Sequence, residues 1–247
     1  MKGIILAGGK GTRLYPITIS TSKQMLPIYD KPMIFYSLST LMECGIREFL
    51  IIVAKGEKIR FERLFDNVST LGITIQFIEQ DEANGIAEAF IIGKDFIGTE
   101  SVALILGDNL FYGPNFELIS KNFKKSKGAT IFLSEVTNPS DYGVVAFDKN
   151  GKVKSLIEKP KNAPSNFAVT GLYFYNYDVT KLVKNLRPSK RGELEITDLN
   201  LIYCENNELN SVVMSKGDVW FDMGPPENML SASEFIKAIQ NRRNSKI

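Results

Sequence analysis

The sequence contains no histidine among its 247 residues. This absence excludes Ser-His-Asp and Cys-His hydrolysis, zinc sites with histidine ligands and general base catalysis by imidazole. If the chain is an enzyme, its nucleophile either needs no strong base or uses a carboxylate or a lysine as that base.

Cysteine, long apolar runs and a strong net charge are also scarce. Cys44 and Cys204 fit no metal or redox spacing, so we interpret them as reduced thiols. The apolar start, Ile4 to Ala7, is shorter than the roughly 7–15 residues of a signal-peptide core. No stretch approaches the ~18 apolar residues of a membrane span, and the formal net charge is only +2. We expect a soluble, cytoplasmic protein that binds neither nucleic acid nor membrane.

Short β-rich runs alternate with helical patterns, and several runs are continuously apolar, as in parallel strands covered on both faces. The predicted strands are 3–7, 48–54, 73–79, 102–106, 129–136, 143–148, 153–158 and 168–175. The predicted helices are 33–44, 57–65, 85–94, 115–126, 178–186, 197–206 and 227–242, with Asp178 and Thr197 as N-caps. This alternation predicts a doubly wound α/β fold, a Rossmann-like and mostly parallel sheet flanked by helices.

We find no repeat or linker-like segment, so a single domain is the economical interpretation. In sheets of this type, ligands bind beyond the carboxyl ends of the strands. This rule picks out residues 8–16, after the first strand, and Gly107-Asp108-Asn109, after the strand at 102–106. It says less about residues 158–160 and 220–224, whose strands need not belong to the main sheet.

Residues 8–13 read Gly-Gly-Lys-Gly-Thr-Arg. The run is not the phosphate loop G-x-x-x-x-G-K-[ST], because neither Gly8 nor Gly9 is followed by that pattern. It is not the dinucleotide fingerprint G-x-G-x-x-G/A, because Leu14 stands at the last position and the second strand ends without an acidic residue. A tight turn that needs a positive φ explains one or two of the glycines. It does not explain why Lys10, Arg13 and Lys23 share one polar loop, so the loop indicates an anion site.

Residues 3–34 resemble the signature of the sugar-nucleotide pyrophosphorylases, G-G-x-G-T-R-L-x-P-x-T…S-K-Q-x-L-P…D-K-P-M-I. Within that family the chain is most similar to the glucose-1-phosphate thymidylyltransferases; members that use UTP or CTP resemble it less in the first loop. The similarity extends through motifs at 80–85, 107–109, 142–145, 158–160, 169–171 and 191–198.

The resemblance implies a GT-A-like nucleotidyltransferase that joins glucose 1-phosphate to dTTP and releases pyrophosphate. The nucleophile is a phosphate oxygen, already anionic at neutral pH, so a chain without histidine can run the reaction. The difficulty is repulsion between two polyanions, which positioning and charge neutralisation overcome. The alternatives left open are UTP or another sugar 1-phosphate, and an inactive nucleotide-sugar sensor.

The resemblance also implies roles for individual residues. Arg13 and Lys23 lie along the triphosphate, and Lys159 neutralises the sugar phosphate; these are the expected catalytic cations. Asp108 and Asp222 hold one Mg²⁺, which acts as Lewis acid and template. The nucleotide-binding residues are Gly8, Gly11, Thr12, Arg13, Lys23, Gln24, Gln80, Gly85 and Asp108, with Gln80 and Gly85 reading the base. The substrate-binding residues are Asn109, Tyr142, Gly143, Glu158, Lys159 and Val169, with Glu158 accepting hydrogen bonds from sugar hydroxyls.

Residues 1–130 are then the nucleotide-binding half and residues 131–247 the sugar-phosphate-binding half. The chain reads Asp222-Met223-Gly224-Pro225 where the family shows D-x-G-T, so a hydroxyl is lost near the metal aspartate. It stops at Ile247, short of the C-terminal segment of longer members, and residues 240–246 read as a solvated tail. We therefore expect the short form, weakened or altered feedback by a dTDP-sugar, and a homodimer or homotetramer. Phe35, Leu38 and Phe116 are candidates for contacts between subunits, although apolar residues of this kind are more often buried in the core of the chain.

Overall fold

The structure is a computed structural model that describes residues 1–243, apart from the side chains at positions 68, 69 and 243. The predicted solvated tail at 240–246 is wrong at its start: residues 240–243 belong to the last helix, and Gln240 is buried with its Nε2 donating to Asp30 at 3.3 Å. Residues 244–246 lie outside the described residues. In the described part of the chain, no helix is long and apolar enough to cross a membrane.

The strands predicted from the sequence are all present and begin and end within one residue of the predicted bounds. The described strands are β1 (Lys2–Ala7), β2 (Pro27–Ile28), β3 (Lys31–Pro32), β4 (Glu48–Ala54), β5 (Thr74–Gln80), β6 (Val102–Leu106), β7 (Asn109–Tyr112), β8 (Ala129–Glu135), β9 (Gly143–Phe147), β10 (Val153–Glu158), β11 (Phe167–Tyr175), β12 (Leu209–Val213) and β13 (Val219–Asp222). The sequence predicted none of β2, β3, β7 and β12, and it gave no bounds for β13, the strand expected before residues 220–224, which pairs with β7 outside the main sheet. Each of these strands is short and lacks a clear alternation of buried and exposed residues.

The predicted helix at 178–186 is α-helical only over Val179–Leu182 and continues as a 3₁₀ turn, Val183–Asn185. The other helices follow the predicted pattern with two corrections. The described α-helices are α1 (Ile34–Glu43), α2 (Lys58–Leu64), α3 (Ala89–Ile92), α4 (Lys94–Ile97), α5 (Phe116–Phe123), α6 (Val179–Leu182), α7 (Ile196–Glu205) and α8 (Pro226–Arg243). The predicted helix at 85–94 is instead a 3₁₀ turn, Ile86–Glu88, followed by the two short helices α3 and α4. Gly93 joins them where a Cβ atom would lie 2.9 Å from Ile4 Cδ1, so the chain passes close above the sheet.

The second correction concerns the predicted N-caps. Thr197 is not an N-cap: α7 begins at Ile196 and Glu195 occupies the cap position. The Thr197 hydroxyl donates to Glu158 instead. Asp178 does precede α6, but its side chain caps no backbone N–H; its carboxylate accepts a hydrogen bond from the Tyr203 hydroxyl at 3.1 Å.

One nine-stranded sheet runs through the described residues in the order β10-β9-β11-β6-β1-β4-β5, with β8 paired to β11 and β12 paired to β8. Strands β6, β1, β4 and β5 are parallel neighbours, whereas β11 runs antiparallel to β6, β8 and β9. The predicted α/β fold with a central, mostly parallel sheet flanked by helices is confirmed. The carboxyl ends of β1, β5 and β6 meet at one edge, where the site forms.

Alternate residues of the central strands point to opposite faces, and each face carries its own apolar cluster. Ile4, Leu50 and Leu104 belong to the cluster beneath α3 and α7. Ile5, Ile51 and Ile105 belong to the cluster beneath α1 and α5. Both faces are therefore dry, which explains the continuous apolar runs of these strands.

A third apolar cluster fastens α8 to the rest of the chain. Ala232 and Ile236 of α8 pack with Ile28, Tyr36 and Met223, all of them buried. This cluster joins α8 to the β2–β3 hairpin and to the segment that follows β13, so it supports the position of Asp222 at the end of β13.

Candidate active site

Two adjoining cavities open at the carboxyl edge of the parallel strands. The first, of about 210 Å³, lies between the ends of β1, β5 and β6. The second, of about 200 Å³, lies between β6, β9, β10 and β13. Ile86, Leu106, Asp108 and Glu193 line both cavities, so a ligand occupying one reaches the other past Asp108.

The predicted nucleotide residues Lys23, Gln24, Gln80, Gly85 and Asp108 all line the first cavity. Gln24 is buried, and its Oε1 accepts no hydrogen bond from the described residues. A buried carbonyl oxygen without a donor is unfavourable by about 1–3 kcal/mol. A bound ligand with a suitable N–H or O–H group would remove that penalty.

The glycine loop turns the chain from β1 into a 3₁₀ turn, Thr12–Leu14, rather than into a helix. Gly11 has a φ of 63°, in the left-handed region, and a Cβ there would lie 2.9 Å from Thr18 Cγ2. Glycine suits this position on both counts. Gly8, Gly11 and Thr12 line neither cavity. They form the loop that places Arg13 on the wall of the second cavity.

Lys23 and Asp108 form a largely buried ion pair at the junction of the two cavities. Burial raises the pKa of the Asp108 carboxyl, but the Lys23 charge and its hydrogen bond outweigh burial and hold that pKa below its ordinary value of 3.8. Asp108 is therefore an anion at neutral pH, and Lys23 is fixed against it.

Asp222 faces the second cavity beside Asp108. Strand β13 pairs with β7 so that Asp222 lies opposite Asn109, and the Met223 N–H donates to the Asp108 carbonyl at 2.9 Å. Burial and the negative charge of Asp108 raise the pKa of Asp222 above 3.8. Arg13 Nη2 lies 3.8 Å from Asp222 Oδ2, and the Gly224 N–H donates to Oδ1 at 3.0 Å.

These two carboxylates fit a hard divalent cation. Both are largely buried and repel each other, and a cation bound between them would reduce that repulsion. Within residues 1–243, no group of three or more aspartate, glutamate, cysteine or histidine ligands could hold a metal ion. A cation at Asp108 and Asp222 would thus complete its coordination with substrate oxygens or water, as Mg²⁺ commonly does.

The second cavity gathers the predicted sugar-phosphate residues. Asn109, Tyr142, Gly143, Glu158, Lys159 and Val169 line it, together with Arg13, Asp108 and Asp222. Lys159 has a φ of 42°, uncommon for a residue with a side chain, and its N–H donates to the Tyr142 carbonyl at 3.0 Å. Tyr142 packs edge-on against Trp220, with ring centroids 5.3 Å apart.

The Asn109 side chain is occupied by protein partners. Its Oδ1 accepts from Trp220 Nε1 at 2.6 Å and from the Gly171 N–H at 3.1 Å. Its Nδ2 donates to Asp108 Oδ1 at 3.1 Å. Asn109 therefore orients Asp108 and Trp220, in addition to lining the cavity.

Two side chains hold the Glu158 carboxylate in place. Thr197 donates to Oε2 at 2.5 Å, and Arg191 Nη1 approaches Oε1 at 3.4 Å. Gly143 permits this arrangement, because a Cβ there would lie 2.8 Å from the Thr197 hydroxyl and 3.1 Å from Glu158 Oε2.

Residues 191–198 belong to the motifs that carry the family resemblance, but the sequence alone predicts no role for them. The structure brings Arg191, Glu193, Glu195 and Thr197 to the second cavity, with Trp220 from β13. Arg191 Nη2 bonds Glu193 at 2.7 Å, and its Nη1 lies 3.7 Å from Glu195. The available signal was the dense run of charge, Arg-Gly-Glu-Leu-Glu, ahead of a helix.

The two cavities are surrounded by a cation-bearing glycine loop, a lysine–aspartate pair and a second aspartate. These groups suit the binding of nucleoside phosphates, so fold and site define a nucleotidyltransferase. The family model described as nucleotidyl transferase matches residues 2–239. A glucose-1-phosphate thymidylyltransferase of Neisseria meningitidis serogroup A is 48% identical over 99% of this chain and 85% of its own length. One of Mycobacterium tuberculosis strain H37Rv is 47% identical over 100% of this chain and 86% of its own length. The chain belongs to the nucleotidyl transferase family and, within it, to the glucose-1-phosphate thymidylyltransferases.

Solved structures agree with this family. A Bacillus anthracis protein assigned as a glucose-1-phosphate thymidylyltransferase and solved with sucrose superposes with a TM-score of 0.89 at 37% identity, over 95% of this chain and 94% of its own. A UDP-glucose pyrophosphorylase complexed with UDP-glucose superposes with a TM-score of 0.83 at 26% identity, over 95% of this chain and 97% of its own. The family resemblance drawn from the sequence motifs is confirmed.

Proposed function

We propose that the chain transfers the thymidylyl group of dTTP to glucose 1-phosphate, giving dTDP-glucose and pyrophosphate. An oxygen of the sugar phosphate attacks the α-phosphorus in line and forms a new P–O bond. The bond from the α-phosphorus to the oxygen that bridges to the β-phosphate breaks, and pyrophosphate leaves with that electron pair. The observation that carries the proposal is the convergence of Arg13, Lys23 and Lys159 with Asp108 and Asp222 around adjoining cavities.

The first cavity suits the nucleotide. Gln80 and Gly85 would contact the base, and the unpartnered Oε1 of Gln24 would accept a hydrogen bond from the ligand. The triphosphate would then pass Lys23 toward Arg13 along the glycine loop, where the N–H groups of Gly8, Gly11 and Thr12 are the proposed donors. All of these residues precede position 130, and among the described residues Glu193 is the one later residue that lines the first cavity. This placement supports residues 1–130 as the nucleotide-binding half.

The second cavity suits the sugar phosphate. Glu158, already oriented by Thr197 and Arg191, would accept hydrogen bonds from sugar hydroxyls. Lys159 would neutralise the phosphate, and the backbone of Gly143 and Val169 would contact the sugar ring. Residues 131–247 supply most of this wall and are the proposed sugar-phosphate-binding half.

Mg²⁺ is the proposed metal, held by Asp108 and Asp222. When bound there, it would polarise the reacting phosphate and reduce repulsion between the two polyanions. The described lining supports a requirement for added positive charge. Six carboxylates line the second cavity, of Asp108, Asp141, Glu158, Glu193, Glu195 and Asp222, against the three cations Arg13, Lys159 and Arg191 in that cavity and Lys23, which pairs with Asp108 from the first cavity.

A product assay tests this function. The purified chain is incubated with Mg²⁺, one of dTTP, UTP or CTP, and one of several sugar 1-phosphates, and both pyrophosphate and NDP-sugar are measured. The highest kcat/KM with dTTP and glucose 1-phosphate supports the proposal. A preference for UTP or for another sugar contradicts that part of it, and tight binding without turnover in any combination indicates a sensor instead.

A homodimer or homotetramer is the proposed assembly. The candidate contact residues Leu38 and Phe116 are buried within the chain, and Phe35 packs on Phe65 with ring centroids 5.0 Å apart. Contacts between copies would therefore use other residues, among which Ile17, Ile19 and Leu230 are large apolar side chains at least half exposed. Light scattering coupled to size-exclusion chromatography gives the answer, and a monomeric mass at micromolar concentration contradicts the proposal.

A further inference from the structure

A side chain outside the predicted site orients the amide of Gln80. Gln80 Nε2 donates to Glu88 Oε2 at 2.6 Å. The other oxygen of Glu88 accepts from Asn84 Nδ2 at 3.0 Å, and the Asn84 N–H also approaches Oε2 at 3.4 Å. Glu88 is thus anchored from the 81–85 loop while it holds Gln80.

The chemistry of a carboxylate decides which way the Gln80 amide faces. An ionised glutamate only accepts hydrogen bonds, so it bonds the NH₂ group of Gln80 and not its carbonyl oxygen. The carbonyl oxygen must then point away from Glu88. It lies against Gly8, where a Cβ atom would collide with Oε1. Gln80 lines the first cavity, and its Oε1 accepts no hydrogen bond from the described residues.

An acceptor held in this orientation distinguishes the two kinds of pyrimidine. Thymine and uracil carry an N–H donor at ring position N3, which Gln80 Oε1 can accept. Cytosine carries a lone pair at N3, so two acceptors would face each other. A freely rotating glutamine amide would present its NH₂ group to cytosine instead, and the Glu88 contact opposes that rotation.

The geometry points to Glu88 as a specificity-determining positioning residue. It fixes the Gln80 amide so that the first cavity selects pyrimidines with an N3–H group over cytosine. Glu88 acts through Gln80 and does not touch the nucleotide. This inference rests on the proposed function only in taking the first cavity as the site of the base.

The test is Glu88→Gln, which keeps the size of the side chain but can present either a donor or an acceptor to Gln80. Equilibrium binding of dTTP, UTP, dCTP and CTP is measured by calorimetry, together with KM and kcat where turnover occurs. We expect the preference for N3–H nucleotides over their cytosine counterparts to fall by about tenfold or more, the usual effect of misplacing one hydrogen bond to a buried polar group. KM for the sugar phosphate should not change.

Two further variants complete the design. Glu82→Gln makes the same charge change on an exposed residue of the same loop that lines neither cavity, and it should keep the wild-type preference. Asn84→Ala removes one anchor of Glu88 and should lower the preference for N3–H nucleotides over cytosine nucleotides by a smaller factor. If Glu88→Gln does not fold, Asn84→Ala tests the inference in its place.

The inference is overturned if the base preference of both Glu88→Gln and Asn84→Ala stays within about twofold of wild type, even where all affinities fall together. It is also overturned if the wild-type chain prefers cytosine nucleotides. Failure of the proposed function gives a different result. A chain that prefers UTP to dTTP, or that binds without turnover, still supports the inference if Glu88→Gln lowers the preference for uracil or thymine over cytosine.

Discussion

The Thr197 hydroxyl donates a hydrogen bond of 2.5 Å to Glu158 Oε2, across 39 residues of sequence. The bond joins α7 to the end of β10 on the wall of the second cavity. With Arg191 on the other oxygen, it leaves Glu158 few orientations, so the carboxylate is already positioned for the contact with sugar hydroxyls that we propose.

Thr197→Val keeps the shape of the side chain and removes this hydrogen bond. We expect KM for glucose 1-phosphate to rise by about tenfold, because one oxygen of a partly buried carboxylate loses its donor. KM for dTTP should stay the same. Steady-state kinetics with each substrate varied in turn measures both. Thr180→Val, which removes a hydroxyl bonded to the Tyr177 carbonyl outside both cavities, is the matched control. An equal rise in both KM values would contradict a local role.

Asp108→Asn and Asp222→Asn should each lower kcat by roughly a hundredfold or more, since both carboxylates are needed for one proposed cation site. The double variant should be little worse than either single variant, because residues acting as one unit are not additive. EDTA should abolish turnover and Mg²⁺ should restore it. The nucleotide-dependent rise in Tm on adding Mg²⁺ should be lost in both variants and kept in Asp95→Asn, an exposed control. Full activity of Asp222→Asn would exclude Asp222 as a ligand.

Lys159→Ala and Arg13→Ala should damage different kinetic constants. Lys159 faces the proposed sugar-phosphate site, so its loss should mainly raise KM for glucose 1-phosphate. Arg13 lies beside Asp222. If its charge acts on the reacting phosphoryl group, as we propose, its removal should lower kcat by about a hundredfold. Lys161→Ala, an exposed lysine that lines neither cavity, is the control. Unchanged sugar-phosphate kinetics in Lys159→Ala would contradict the assignment.

Glu195 predicts a specific dependence of stability on pH. Burial raises its pKa above the ordinary value of 4.5, although the Ser189 hydrogen bond and the Arg191 charge act in the opposite direction. Between pH 4.5 and the raised value, the folded chain retains this proton and the unfolded chain has released it. Stability therefore falls as pH rises through that interval. Urea unfolding of wild type and Glu195→Gln at several pH values should show the variant gaining relative stability as pH rises. A difference that does not vary with pH would contradict the prediction.

The sequence by itself determined the positions of the long strands and the class of chemistry. Runs such as Phe49-Leu50-Ile51-Ile52-Val53 are apolar on both faces of a strand. Such a run predicts a strand from a few neighbouring residues, without any knowledge of distant contacts. The absence of histidine excluded imidazole chemistry and the cation-bearing glycine loop indicated an anion site, whereas the reaction itself followed from the resemblance of the motifs to a known family. Strands β7 and β13 carried no such signal, because four residues show no usable periodicity.

Only the tertiary structure decided which side chains meet. Trp220 donates a hydrogen bond to Asn109, 111 residues away in the sequence. Thr197, predicted as an N-cap, instead donates to Glu158. Glu88 orients Gln80 although no motif marks it. The direction of β11 also became visible only in the sheet. The physical reason is that periodicity and propensity act within one turn or one strand. Contacts between distant segments depend on how the sheet brings strand ends to a common edge.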